Sequence, residues 1–371
     1  MIEAGAAMHT VRRFTLLALA VLAISIALFA EPSPAHAQRA TFLVTWENAW
    51  FRAAPSVLAA PVAPLRQGAT FQVIGRSEDG HWLALAGPDF RAWLPAGFGE
   101  VTGALADVPV VKAAPPPAPE NINTAPLPEW IVVTPRGKQL YRQAVKAGRN
   151  PRMFTIAGDS NSAWPRTLGR IAAGNYDFGA HGYLRSVVAR FDPSFARVSL
   201  AVRGGAGAVS MFDPSQAPAP HCRDGEGMFP CELRLSRASV VFIQLGTGDK
   251  FAWREFESNM RRMIDYALAS NVLPVLVTKA DDMESIHGGA SFNYINDTIR
   301  KLASEYQLPL ADFHLASRSL PVVPNPELPD RPFTKNGLLD EWGYYFHLSE
   351  EGFALRVLAN LMMLDAITRG L

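Results

Sequence analysis

Cysteine is nearly absent, with two residues in 371. That count excludes a disulfide-stapled mini-fold and any zinc site built on three or four thiolates. An excess of one charge is also missing. Lys and Arg number 35 against 34 for Asp and Glu, a formal net charge of +1, and no run of like charge is long enough to mark nucleic acid as a partner. There is no P-loop, no dinucleotide fingerprint, no zinc signature and no internal repeat, so neither a cofactor nor a metal is expected. Apolar material is plentiful. Hydrophobic residues make up 49% and charged residues 19%, an ordinary globular balance over a length greater than one domain usually needs.

The N-terminus and the two cysteines point to one compartment. Arg12 and Arg13 precede an apolar run from Phe14 to Ala30, and Ala35-His36-Ala37 lies just beyond it. Charge, apolar core and A-x-A site in that order read as a signal peptide over 1–37, with a mature chain starting near Gln38. The rival reading is an uncleaved anchor, since the run is about long enough to span. Cys222 and Cys231 lie nine positions apart in a loop rich in Gly, Pro and charge. In an oxidising compartment they form one local disulfide; the alternative is two unpaired thiols. His221 beside them does not complete a recognised zinc spacing. The expected location is extracytoplasmic, secreted or in the cell envelope, with no membrane span after cleavage.

The mature chain divides by composition. From 40 to 103, short apolar runs are broken by Gly, Pro and Asp-Gly, a spacing that predicts a small all-β barrel. Trp50-Phe51-Arg52, Pro64-Leu65, Gly68, Trp82 and Trp93-Leu94 give this segment a pattern that resembles a bacterial SH3-like domain. The resemblance implies binding to cell-wall or other envelope polymer; for each tryptophan taken singly, a place in the core is the plainer reading. From 104 to 128 the prolines crowd together and periodicity vanishes, which predicts an extended linker holding the small domain away from the rest of the chain. From 129 to 371, apolar strand candidates alternate with amphipathic helices. The strands are Met153–Gly158, Arg197–Gly205, Ala238–Gly246, Leu273–Lys279 and Pro309–His314. Phe256, Met260, Met263, Ile264 and Ala267 share one helical face; Phe292, Ile295, Ile299, Leu302 and Tyr306 share another. Ser349 caps a last helix. The pattern predicts a doubly wound α/β domain with a parallel sheet.

Ligands of open α/β sheets bind at the carboxyl ends of the strands. Ser160, in Gly158-Asp159-Ser160, sits at such an end. So do the glycines of "RGGAGA" and "GTGD", and His347 lies just before the last helix. Nucleophile, base and backbone donors are the parts an acyl-transfer site needs. GDS after the first strand, glycine after the second, G-T-x-D after the third and H-L-S before the last helix together resemble the SGNH (GDSL-type) hydrolases, over about 220 residues. The resemblance implies a three-layer α/β/α sandwich and metal-free ester hydrolysis on lipids, acetylated glycans or small acyl esters. It makes Ser160 the nucleophile and an oxyanion donor, His347 the general base, and either Gly205 or Gly207 a second donor.

Two positions depart from that pattern. The family's third block carries an Asn that donates to the oxyanion; here the position is Gly248, so any donor must be backbone. Losing one such donor costs about 10²- to 10³-fold in rate. The family's acid lies three residues before the histidine, where Tyr344 stands; Asp340 or Glu341 can serve instead, or His347 works in a dyad. Asp159 and Asp249 read as turn-forming residues. Lys279, Asp281 and Asp282 lie at the edge of the site, on the surface or against substrate. His287 lies on the same side, at the surface or lining the pocket. Asp312 and His314 read as packing and hydrogen-bonding residues, with a functional role as the alternative. The leading expectation is an exported serine esterase, acting on an acyl or acetyl ester of an envelope or extracellular polysaccharide. The alternative is a non-catalytic envelope-binding protein with a degenerate hydrolase domain.

Overall fold

The computed structural model describes residues 40–112, 121–174, 176–282, 284–320, 338–339 and 347–370. The expected signal peptide, 1–37, lies outside them, and no helix among the described residues is long and apolar enough to cross a membrane.

Residues 40–103 form seven strands: β1 (Thr41–Val44), β2 (Trp50–Arg52), β3 (Pro61–Pro64), β4 (Thr70–Arg76), β5 (Trp82–Ala86), β6 (Arg91–Pro95) and β7 (Gly99–Thr102). They make one antiparallel sheet in the order β3-β2-β6-β5-β4-β1-β7. The β4–β5 hairpin turns at Gly80, whose φ of 73° lies in the left-handed region, while Asp79 accepts from the His81 N–H at 3.0 Å. Phe42, Phe51, Trp82, Leu85, Leu94 and Phe98 are buried between the strands. Trp82 is therefore a core residue, whereas Trp50 is 43% exposed. Strands β3 and β7 stand at the two ends of this order.

The segment read as a stand-off linker is docked at both of its described ends. Val110 bridges to Arg76, and the Val111 N–H donates to the Arg76 carbonyl at 2.8 Å. Residues 113–120 lie outside the described set. Beyond them Asn121 is buried, donating to the Asp365 carbonyl (3.0 Å), its Oδ1 (3.0 Å) and Thr368 Oγ1 (3.1 Å). The two units also touch directly. Trp46 meets Trp164 edge-on at 5.5 Å, Phe98 lies against both, and Asp192 accepts from the Val57 N–H at 2.8 Å. Proline content reports the stiffness of a segment and not which aromatic residues elsewhere bury against each other.

The larger unit is built on β8 (Ile131–Val132), β9 (Asn150–Gly158), β10 (Ala238–Gln244), β11 (Leu273–Val277) and β12 (Leu310–Ala311), in the order β8-β12-β11-β10-β9. Strands β9 to β12 are parallel; β8 adds an antiparallel edge. Every residue of β10 and β11 is buried. Successive side chains of a strand face opposite sides, so both faces of the sheet are covered. The cover comes from α1 (Pro135–Lys146) with α8 (Glu350–Thr368), which touch one another. It comes also from α4 (Met228–Ser236), α5 (Trp253–Ala269) and α6 (Tyr294–Glu305), which form a second contiguous group. Shorter helices α2 (Leu168–Ala173), α3 (Asp192–Phe195) and α7 (Phe313–Ser317) fill the ends. Thr134 caps α1 by accepting from the Gly137 N–H at 2.9 Å, with Pro135 in the first turn. Ser349 caps α8, accepting from the Gly352 N–H at 3.1 Å.

Three expected elements are different. Arg197–Gly205 is no strand. Its backbone meets β9 at a single isolated parallel bridge, Gly158 to Val202, and Ser199 Oγ donates to the Ile156 carbonyl at 2.6 Å. Buried Glu232 of α4 pairs with Arg197 and accepts from the Leu200 N–H at 2.9 Å, so a side chain takes the backbone donor that a ladder would use. Strand β12 stops after two residues, because Asp312 accepts from the Leu315 N–H at 3.2 Å and starts α7. Phe292 is 62% exposed and precedes α6, although Ile295, Ile299 and Leu302 are buried as expected. The face Phe256, Met260, Met263, Ile264 and Ala267 of α5 is buried throughout. Cys222 and Cys231 form the disulfide.

Candidate active site

The apolar run of β9 ends at Gly158, where a Cβ would lie 2.4 Å from Ser162 Oγ. Glycine is needed there for the chain to fold back on itself. The next residues form a single 3₁₀ turn, Ser160–Ser162, and Asp159 caps it by accepting from the Asn161 N–H at 2.8 Å. Asp159 is thus the turn-forming residue the sequence indicated. Ser160 opens the turn, half-buried, at the carboxyl end of β9. With the Val202 bridge counted as the second strand, the order around it is 2-1-3-4-5. The switch point then falls between β9 and β10, where ligands of doubly wound sheets bind.

Two glycine loops flank the turn. The first comes after Val202 and is tied to β9 by the Gly158 N–H to the Ala201 carbonyl (3.0 Å) and the Arg203 N–H to the Gly158 carbonyl (3.1 Å). Gly205 is exposed with φ 73°, while Gly207 is buried; a Cβ on Gly207 would lie 2.7 Å from Asp249 Oδ1. The second loop comes after β10. Gly248 lies against the first loop, and a Cβ there would stand 3.2 Å from the Ala206 carbonyl oxygen and 3.3 Å from that of Gly205. A side chain at 248 would start in tight contact with the first loop, which would have to shift by a few tenths of an ångström. Asp249 holds the loops together, accepting from the Ala208 N–H at 2.7 Å. Burial pushes its carboxyl from 3.8 up to about 7; the Ala208 N–H opposes the shift and the nearby Asp159 carboxylate adds to it. Asp249 Oδ2 has no hydrogen-bond partner among the described residues.

His347 lies in β14 (His347–Leu348), paired antiparallel with β13 (Leu338–Leu339) in the register Leu339 to His347. Asn161, in the Ser160 turn, accepts the Leu348 N–H at 2.9 Å. One hydrogen bond across 187 positions therefore brings the His347 backbone to the turn that carries Ser160. The His347 side chain lies outside the described residues, and so do Asp340, Glu341 and Tyr344. Beside the turn is a cavity of about 180 Å³. Phe154, Ile156, Trp164, Leu168, Val198 and Val202 wall it, and Ser162 and Gly204 also line it.

Behind the turn lies a polar group that sequence reasoning missed. Ser162 Oγ donates to Gln244 Oε1 at 2.9 Å, and Gln244 Nε2 donates to Asn360 Oδ1 at 2.7 Å. Arg356, also on α8, donates to Ser162 Oγ at 3.4 Å. All four are buried. Their one trace in the sequence is the i, i+4 pair Arg356 and Asn360 within the mostly apolar middle of the helix.

Lys279, Asp281, Asp282, Asp312 and His314 are engaged in ion pairs and hydrogen bonds. Lys279 is 2% exposed, its ammonium held by Asp281 (2.5 Å) and Glu284 (3.0 Å). Asp282 lies 3.3 Å from His314 Nε2, a hydrogen bond that lowers its pKa against the effect of burial. Asp312 pairs with Arg300 at 2.7 Å, and Arg300 also reaches His314 Nδ1 at 3.1 Å. The His287 side chain lies outside the described set.

No protein-family model matches the chain, and no curated protein matches it. Solved structures similar to it include a GDSL-like lipase from Bacteroides thetaiotaomicron (14% identity, 62% of this chain and 98% of that one, TM-score 0.36). A catalytic mutant of Axe2, an acetylxylan esterase from Geobacillus stearothermophilus, is similar at 14% identity, over 57% of this chain and 93% of that one, TM-score 0.36. The psychrotrophic esterase EstA from Pseudoalteromonas sp. is similar at 12%, over 56% and 94%, TM-score 0.34. Scores of this size leave the chemistry to the residues of the site.

Proposed function

We propose that this protein is a serine ester hydrolase that works by Ser-His catalysis outside the cytoplasm. The observation that carries the reading is the Asn161–Leu348 hydrogen bond, which joins the His347 backbone to the Ser160 turn at the switch point of the sheet. His347 takes the proton from Ser160 Oγ as that oxygen bonds to the ester carbonyl carbon. The oxyanion accepts from the Ser160 N–H and from Gly205 or Gly207. Collapse expels the alcohol, which takes the proton from the imidazolium and leaves an acyl-enzyme. Water then attacks the acyl carbon and gives a proton to His347. The second collapse returns that proton to Ser160 and releases the carboxylic acid. Asp340 or Glu341 orients the imidazole. Gly248 supplies no side-chain donor, so turnover is slow relative to a site with one.

The cavity of about 180 Å³ beside the turn has apolar walls that suit the acyl side of an ester. The exposed Trp50 of the N-terminal sheet supports an SH3-like role in holding an envelope polymer, whose acyl esters are then the substrate. The apposition of Gly248 to two carbonyl oxygens favours the second reading, a degenerate site in an envelope-binding protein. Hydrolysis of p-nitrophenyl acetate by the purified protein separates the two. Turnover that falls at least about 10³-fold in both Ser160→Ala and His347→Ala is expected. Equal rates in all three proteins would rule out the enzyme reading for this ester class.

A further inference from the structure

We propose that Arg356 is a positioning residue for Ser160, acting through Ser162 from the opposite end of the chain; this deepens the Ser-His reading and rests on it. Arg356 and Asn360 lie one turn apart on α8 and engage the same serine by two routes. Arg356 donates to Ser162 Oγ directly at 3.4 Å. Asn360 reaches it through Gln244, by bonds of 2.7 and 2.9 Å. The circuit closes helix, strand end and turn into one unit. Ser162 Oγ in turn occupies the space that any side chain at residue 158 would need, so its placement sets the path of the chain on both sides of Ser160.

The arginine is costly where it stands. It is 3% exposed, and its Nε has no hydrogen-bond partner among the described residues. Burial lowers its pKa to about 10, opposed by the Asp159 carboxylate. The guanidinium lies over the Phe313 ring at 4.5 Å, a cation–π contact on the face away from water. An apolar side chain of similar volume fills such a site without desolvating a charge and is often the more stable choice. A cation held between a ring and the residues flanking Ser160 supplies direction instead. Asp159 and Ser162 bracket the nucleophile on both sides, and Arg356 acts on both.

The test compares wild type with Arg356→Lys, Arg356→Met and Ser162→Ala. Two readouts are taken: p-nitrophenyl acetate kinetics and hydrogen exchange of the peptide covering 158–163. The expected result for Arg356→Met is a kcat about 10²-fold lower with KM within about twofold, as a misplacement of about 1 Å produces. Exchange in 158–163 should be at least about tenfold faster, and Arg356→Lys should recover part of both losses. Ser162→Ala, a small change that keeps the fold, should move both readouts in the same direction. Folded Arg356→Met with unchanged exchange in 158–163 would overturn the proposal. So would a folded Arg356→Met whose kcat equals wild type. If wild type shows no Ser160-dependent turnover, the hydrolase reading has failed. Faster exchange then still supports a hold on the turn, and unchanged exchange refutes it.

Discussion

Glycine at 207 and glycine at 248 answer different steric demands at the same contact. At Gly207 a Cβ would come within 2.7 Å of Oδ1 of Asp249, a buried carboxyl held by the Ala208 N–H, whereas at Gly248 the nearest atoms are carbonyl oxygens at 3.2 and 3.3 Å. Gly207→Ala is therefore expected to destabilise the fold by about 1–3 kcal/mol, and to lower kcat with it, as measured by urea unfolding and ester turnover. Gly248→Asn is expected to shift the facing loop by a few tenths of an ångström, and ester turnover of that variant measures the effect. Asp249 itself makes a pH-dependent contribution. Its carboxyl is raised from 3.8 to about 7 in the fold. Below pH 3.8 both native and unfolded chains hold the proton; as pH rises from there to about 7, the unfolded chain ionises while the native one does not. Wild type should lose stability relative to Asp249→Asn across that window, by up to about 1.4 kcal/mol per pH unit, and then level off. Paired unfolding curves at pH 4, 5.5 and 7.5 measure it.

The elements of the α/β unit were legible wherever burial was continuous. Strands β9, β10 and β11 and the apolar face of α5 stand where their periodicity put them, because a sheet covered on both faces demands uninterrupted apolar runs. The segment after Arg197 also carries an apolar run, Val198 to Val202, but does not share the same fate. The carboxylate that claims its backbone, Glu232, comes from α4, and no local pattern announces it. The site was legible in the same uneven way. The Gly158-Asp159-Ser160 turn can be read from a strand ending in small polar residues. The hold of Arg356 on Ser162 spans 194 positions and leaves only an i, i+4 polar pair as its trace. Asn161 was missed for the same reason, since its partner is the backbone of residue 348. Asn161→Ala leaves that buried N–H without its acceptor, a loss of about 1–3 kcal/mol at the junction of β14 and the turn. Ester turnover should fall by at least about tenfold, with faster exchange at Leu348 measured by mass spectrometry.

At the scale of the whole molecule, the N-terminal sheet and the α/β unit share an aromatic contact in place of a spacer. Trp46, Phe98 and Trp164 meet within 5.5 Å of one another, and Trp164 also donates to the Phe195 carbonyl at 2.8 Å. The proline-rich segment returns to α8 through Asn121 and Asn123, which grip Asp365. Wild type should unfold in one calorimetric transition. Trp46→Ala, which removes the face that the sheet presents to Trp164, should split it in two. Because Trp164 also walls the cavity beside the Ser160 turn, the same variant should alter the preference between acetyl and longer acyl esters.

The central claim is that Ser160 is the nucleophile, and covalent trapping tests it most directly. The purified protein is incubated with a fluorophosphonate, and its mass is then measured intact and after digestion. One phosphonyl group on the peptide containing Ser160, absent from Ser160→Ala and strongly slowed in His347→Ala, is the expected result. No adduct under conditions that label a control serine esterase, or an adduct on another residue that persists in Ser160→Ala, would contradict the account.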